Sequence, residues 1–318
     1  MLLAPARWGE SPGRGSAIGH QGPANRVVSI GGVHSSGGGA GGVVLAGGRS
    51  SRMGAAKASL DWHGSTLHYR TAALLTRVVT GPVVVVAAPG QQLPDLPRGI
   101  EVVTDPVEGL GPMQGIAAGL LALAERAPAA FVCSTDLPFL HPAFVLRVLD
   151  ARESAAADLA LPVARGFRQP LAAAYRTTLG ELIAKLVTEG HLRPGMLAEH
   201  CTVVPVDDAA LLVDAELTRW DPQLDSVTNI NTPDDYAAAH QRPPPEIAVQ
   251  AFGALAGAGG HGSRLVRAAT LGGAAAALGI ALDRHVVAAL NGDQIFRDPQ
   301  LPLVRGDSIA FLSADAGG

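Results

Sequence analysis

A short apolar run at residues 43–46 breaks into Gly47-Gly48-Arg49-Ser50-Ser51-Arg52-Met53-Gly54-Ala55-Ala56-Lys57. The run itself, Val43-Val44-Leu45-Ala46, reads as a buried strand. The paired glycines end it, and Gly54 turns the chain again before the lysine. Glycines let a backbone approach a ligand closely and aim successive amide hydrogens at it. Arg49, Arg52 and Lys57 add positive charge around the same loop. Amides and cations in one loop are what a polyphosphate needs. The lysine is informative because only Lys57 and Lys185 are lysine among 24 basic residues. Glycine by itself says less: 39 of the 318 residues are glycine, so isolated ones carry little weight. Two other phosphate loops are excluded by spacing. Ala55-Ala56 separate Gly54 from Lys57, which a Walker A loop does not allow. The Gly-x-Gly-x-x-Gly spacing of a dinucleotide fold is also missing from the loop.

Strands and helices alternate after the loop. Residues 67–79 carry apolar positions at helical spacing, and 83–87 form a β-branched run bounded by prolines, as in a central parallel strand. Residues 101–104 read as a strand, 113–126 as a helix and 130–134 as a strand. This order predicts an α/β fold with a doubly wound, mostly parallel sheet, and places the chemistry in loops after the strands.

Four stretches carry candidate residues. Asp105 ends a strand, where its carboxylate can accept hydrogen bonds from a guanine edge. Gly111 and Gly115 then flank a helix start, where backbone amides can meet an anion or a base; the alternative is an ordinary helix-entry turn. Asp136, in Ser134-Thr135-Asp136-Leu137-Pro138, follows a hydrophobic strand and is placed to hold Mg2+, which takes oxygen ligands and keeps water and phosphate oxygens. Its neighbour Cys133 reads as a small buried hydrophobe. Gln169-Pro170-Leu171 reads as an edge strand entered through proline or as part of a ligand wall. In Asn229-Ile230-Asn231-Thr232-Pro233-Asp234-Asp235, Thr232, Pro233 and Asp235 explain themselves as a helix cap, whereas Asn229 and Asn231 do not.

Together these stretches resemble the molybdenum cofactor guanylyltransferase family of nucleotidyltransferases, over about 43–240 and in the family's order. The first motif is Leu-Ala-Gly-Gly-x-Ser-x-Arg-Met-Gly-x-x-Lys. The resemblance implies that GTP lies along Leu45, Ala46, Gly47, Gly48 and Lys57, with Asp105, Gly111, Gly115, Asn229 and Asn231 also lining its site. It makes Lys57, Arg52 and Asp136 the catalytic set, Asp136 the metal ligand, and molybdopterin the acceptor, received beside Gln169-Pro170-Leu171. The family usually has Asp immediately before the loop lysine; this chain has Ala56. Cytidylyl transfer to the same pterin and nucleotidyl transfer to a sugar phosphate are the neighbouring alternatives.

Residues 1–41 are rich in Gly, Ser and Pro and read as a disordered extension before a nucleotidyltransferase domain at 42–241. A proline linker at 242–246 leads to a second pattern at 247–318. There a β-β-α-β-β order suggests a small β-grasp domain. Ala289-Leu290-Asn291-Gly292, Gly306-Asp307 and the final Gly317-Gly318 resemble sulfur carriers of the molybdopterin-synthase small-subunit type. That resemblance implies adenylation at Gly318 by an activating enzyme, and a molybdopterin-synthase large subunit as partner. The sulfur carrier could also be the working part, with the first domain a weak nucleotide-binding module.

Composition bounds the rest. A net charge of −4 without basic runs argues against a nucleic-acid surface. No apolar stretch reaches the roughly 18–20 residues of a membrane span. Two cysteines, Cys133 and Cys201, give no disulfide framework and suit a reducing cytoplasm.

Overall fold

A computed structural model describes residues 39–47, 59–107, 109–259 and 262–314. Arg49, Arg52, Lys57, Gly48, Gly54, Gly317 and Gly318 lie outside these described residues, as does most of the 1–41 stretch.

The first sheet begins with β1 (Gly41–Leu45), followed by α1 (Leu67–Val78), β2 (Val83–Ala87), β3 (Glu101–Thr104), α2 (Pro112–Leu123) and β4 (Ala129–Ser134). After α3 (Pro142–Ser154) come β5 (Leu159–Ala164), β6 (Phe167–Arg168), β7 (Ala172–Arg176), α4 (Leu179–Thr188), β8 (Val203–Asp207) and the short α5 (Asp208–Leu211) and α6 (Ala215–Trp220). Helix α7 (Pro233–His240) closes this part of the chain. Strand β1 starts earlier than its apolar pattern predicts, at two closely packed glycines: a Cβ on Gly41 would lie 2.8 Å from Pro82 O.

Strands β3, β2, β1 and β4 are parallel neighbours in that order. Strand β7 pairs antiparallel with β4 and β5, and β8 runs parallel to β5. The sheet is therefore parallel-rich and mixed. Its two faces alternate along β1. Val44 and Ala46 join Leu75, Phe144 and Val148 from α1 and α3, while Val43 and Leu45 join Ile116, Leu120 and Ile183 from α2 and α4. Helices thus cover both faces, as the alternation of elements requires. One expectation is corrected. The segment at Gln169-Pro170-Leu171 is not an edge strand but the connection into β7, an interior strand paired on both sides. Pro170 has no amide to give a ladder, so it sits where none is needed.

The second sheet contains β9 (Glu246–Phe252), β10 (Arg264–Arg267), α8 (Leu271–Ala277), β11 (Val286–Leu290), β12 (Asp293–Ile295) and β13 (Ser308–Ser313). Its strand order is β10-β9-β13-β11-β12, with β13 parallel to β9 and the other pairs antiparallel. Alternating residues Ile247, Val249, Val286, Ala288, Ile309 and Phe311 pack with Leu271 and Ala274 of α8. The sequence pattern missed β12, which is too short to show alternation. The turn that creates it was legible: Asn291 and Gly292 have φ of 54° and 99°, the left-handed pair of a tight hairpin. Among the described residues no helix is long and apolar enough to cross a membrane.

Candidate nucleotide site

The carboxyl ends of β3, β2, β1 and β4 lie side by side. Leu45 is opposite both Val86 and Ser134, and Ala87 is opposite Thr104. Gly47 and Asp136 thus each stand two residues past a paired position, on strands about 4.8 Å apart. Asp105 leaves the same edge one residue past Thr104. Register alone therefore gathers the starts of the three predicted loops along one rim.

At the exit of β1, the Ala46 amide donates to Val86 O at 2.9 Å. Gln91, which sequence reasoning overlooked, fastens this exit to the next strand. Its Oε1 accepts from the Ala88 amide at 2.9 Å and its Nε2 donates to Ala46 O at 3.0 Å. No motif marks Gln91; only the three-dimensional proximity of two strand ends explains it.

The Asp105 amide donates to Ala87 O at 2.8 Å, and its carboxylate accepts the Val107 amide at 3.2 Å. Burial pushes its carboxyl above the usual range, and that amide bond opposes the rise. Gly111 is exposed at φ 75° and caps α2 without a side-chain bond, with Pro112 at the helix start. Gly115 is different. It is buried, and a Cβ there would lie 3.2 Å from Leu45 Cδ2, so helix-to-strand packing accounts for this glycine.

Asp136 is half-buried at the exit of β4. The Ser134 hydroxyl donates to its Oδ1. Its backbone oxygen accepts the Ile230 amide at 3.0 Å, which brings the Asn-rich segment to the metal-loop candidate across almost a hundred residues of sequence. Ile230 is fully buried with Trp62, Leu67 and Ala239, while Asn229 and Asn231 on either side are exposed. An apolar plug thus fixes the two amides at the surface. The cap that follows is as expected: Thr232 accepts from the Asp235 amide at 3.1 Å, and Asp235 accepts from the Thr232 amide at 2.9 Å. The Ser134 amide donates to Leu171 O at 3.3 Å, so the connection after β6 also reaches this rim. Cys133 is fully buried, and burial with the nearby Asp136 charge raises its thiol pKa, which removes it as a nucleophile.

The chemistry at this rim fits a hard cation. Asp136 supplies a carboxylate beside a hydroxyl, and Mg2+ is commonly held by one or two carboxylates with water and phosphate oxygens. No cluster of three or more His, Cys, Asp or Glu able to hold a metal occurs among the described residues, which sets it apart from an all-protein cage.

Comparison with known proteins agrees with this architecture. The MobA-like NTP transferase domain family matches residues 42–203. A Mycobacterium tuberculosis protein named "Probable molybdenum cofactor guanylyltransferase" is 36% identical over 196 residues, covering 60% of this chain and 92% of its own. A Mycolicibacterium paratuberculosis protein of the same name is 39% identical over 153 residues, covering 47% of this chain and 75% of its own. The crystal structure of molybdopterin-guanine dinucleotide biosynthesis protein A from Archaeoglobus fulgidus superposes with a TM-score of 0.50 at 23% identity, covering 63% of this chain and 97% of that one, and shares the fold. With the phosphate-loop sequence, the strand-end rim and these matches in hand, the chain belongs to the MobA-like NTP transferase domain family and is a nucleotidyltransferase.

Proposed function

We propose that this chain transfers GMP from GTP to the terminal phosphate of molybdenum-molybdopterin in molybdenum cofactor biosynthesis. The observation that carries the reading is the shared register of Leu45 and Ser134, which starts the glycine loop and the Asp136 loop on adjacent strands. The triphosphate lies along Leu45, Ala46, Gly47, Gly48 and Lys57. Asp105 and Gly111 face the base side, Gly115 supports them by its packing on Leu45, and Asn229 and Asn231 lie near Asp136. Mg2+ held by Asp136 would neutralise phosphate charge and polarise the α-phosphoryl group. Arg52 and Lys57 add fixed cations for the charge that builds on the leaving pyrophosphate. The acceptor phosphate oxygen forms a bond to the α-phosphorus as the bond to the β-phosphate oxygen breaks. A phosphate monoester is largely deprotonated at neutral pH, its second pKa being about 6, so no general base is needed.

The test is pyrophosphate release by the full chain with Mg2+, molybdopterin and either GTP or CTP. Release with GTP supports the reading. Release with CTP alone transfers it to a cytidylyltransferase, and turnover with a hexose phosphate instead makes it a sugar-phosphate enzyme. No release with any pair overturns it. Lys57→Ala is expected to abolish release while leaving the fold intact.

A second reading concerns the C-terminal sheet. We assign residues 42–241 to the transferase domain, 242–246 to a linker and 247–318 to a β-grasp sulfur-carrier domain, after an extension at 1–41. The strand order, with the last strand parallel to the first at the centre, supports β-grasp. In this role the Gly318 carboxylate attacks the α-phosphorus of ATP on an adenylating enzyme, forming an acyl adenylate and releasing pyrophosphate. Molybdopterin-synthase large subunit is the later partner. Mass spectrometry after incubation with an adenylating enzyme and ATP tests it; an unmodified Gly318 overturns it. Both activities belong to the cytoplasm, and neither involves nucleic acid or a membrane.

A further inference from the structure

The connections of the second sheet, residues 298–307 before β13 above all, are bonded to the first part of the chain by charged and polar contacts concentrated on α1. Arg77 donates to Pro302 O at 2.5 Å and pairs with Asp307 at 2.7 Å, with both side chains nearly excluded from water. Tyr69 donates its hydroxyl to Asp298. The His141 ring accepts the Ala143 amide at Nδ1, so Nε2 carries the proton and donates to Arg305 O at 2.9 Å. Val304 packs into the core of the first sheet. These contacts hold a sheet that begins well beyond residue 203, where the family match ends.

Arg70 lies among them and reaches both ways. It is buried, its Nε donates to Pro138 O at 2.9 Å, and its Nη1 donates to Ala269 O at 3.4 Å. Pro138 is two residues from Asp136; Ala269 is the residue before the Thr270 cap of α8. Burial, with Arg77 nearby, lowers the Arg70 pKa to about 10, so the guanidinium stays charged at neutral pH. A buried cation solvated by backbone carbonyls holds those carbonyls in place, because releasing either leaves charge unpaired. One planar fork therefore joins the Asp136 loop to the C-terminal sheet, a geometry that lysine cannot reproduce.

We propose that Arg70 is a positioning residue through which the docked C-terminal sheet holds the 136–140 loop, and with it the Asp136 carboxylate, in the arrangement used for nucleotidyl transfer. This rests on the reading of Asp136 given above. It makes the sheet a structural part of the transferase site, whatever it does as a carrier.

The test uses the full chain and two readouts. One is the Mg2+ concentration that half-saturates pyrophosphate release. The other is hydrogen exchange at the Ile230 amide, which is bonded to Asp136 O and reports the loop without any turnover. Arg70→Lys is expected to raise the half-saturating Mg2+ concentration about tenfold, the scale of outer-shell effects on a metal site, and to speed Ile230 exchange. Asp307→Asn loosens docking without touching the loop, and is expected to move both readouts the same way by less than Arg70→Lys does, with Ile230 exchange speeding more than that of the Val44 amide in β1, which reports global unfolding. Unchanged Mg2+ dependence and Ile230 exchange in a folded Arg70→Lys protein would overturn the proposal. So would Asp307→Asn that speeds exchange in β11 and β13 but not at Ile230; this arm decides the matter if Arg70→Lys does not fold. If the unmodified chain releases no pyrophosphate, the transferase reading fails, and Ile230 exchange alone still decides the coupling.

Discussion

The Ile230 amide and the Asp136 carbonyl oxygen are hydrogen-bonded at 3.0 Å. The bond uses the backbone of Asp136, so the Asp136 position in the fold does not depend on its carboxylate. Asn at this position keeps an oxygen for the Ser134 hydroxyl and removes the charge. Asp136→Asn is therefore expected to melt within about 1 kcal/mol of the unmodified chain, while pyrophosphate release falls by about 10²–10³. Urea melts and a pyrophosphate assay at saturating Mg2+ check the two halves separately. A variant that keeps most activity removes Asp136 from the metal.

Gln91 ties the exits of β1 and β2 through Ala46 O and the Ala88 amide. Removing the side chain frees the backbone at the start of the glycine loop without touching the reacting atoms. Gln91→Ala is expected to cost about 1–2 kcal/mol of stability and to raise the nucleotide KM about tenfold, with kcat less affected. Steady-state kinetics with the nucleotide varied distinguishes this split from a general loss of folded protein.

The rim was legible in the sequence because each of its loops follows a short strand marked by an apolar or β-branched run. Asp105, Asp136 and Gly47 could be placed at strand ends before any register was known. What was not legible came from contacts distant along the chain. Gln91 sits in a stretch with no periodicity, and its partners are backbone groups. Gly115 looked like part of a ligand-facing helix start, yet its packing on Leu45 is a property of the β1–α2 approach. Ile230, between two asparagines, carries no signal of its own in the sequence, and is the buried residue that orients them. Arg70 and Arg77 lie on the predicted helix without any spacing that sets them apart, and their partners Ala269, Pro302 and Asp307 are 199–230 residues away.

The Arg77–Asp307 pair shows how firmly that sheet is held. Side-chain exposures are 12% for Arg77 and 2% for Asp307. Asp307 also accepts from the Val304 amide at 2.8 Å and from Asn291 Nδ2 at 3.0 Å. Neutralising one member of a buried pair strands the other charge. Asp307→Asn is expected to destabilise the chain by about 3–5 kcal/mol, and adding Arg77→Met is expected to restore much of it. Urea unfolding of both single variants and the double variant checks this. Additive losses would show that the pair contributes nothing as a pair.

His68 supplies the sharpest dependence on pH. Its side chain is fully buried on α1, and neither ring nitrogen has a hydrogen-bond partner among the described residues. Burial lowers its pKa to about 4, from 6.5. The unfolded chain therefore binds this proton more readily than the folded one, and the sign follows. The contribution is fully present above pH 6.5 and is lost progressively as pH falls toward 4, by about 3 kcal/mol in all. His68→Leu removes the titration and the two unpaired nitrogens together. It is expected to stabilise the chain at pH 7 by about 1 kcal/mol and to flatten this part of its stability profile between pH 6.5 and 4. His63 and His141 are also lowered by burial and contribute in the same direction, so the quantity to read is the difference between unmodified and variant chains at each pH. Urea melts in steps of half a pH unit give it; a difference that does not change with pH would mean that His68 finds a partner for its proton in the folded chain.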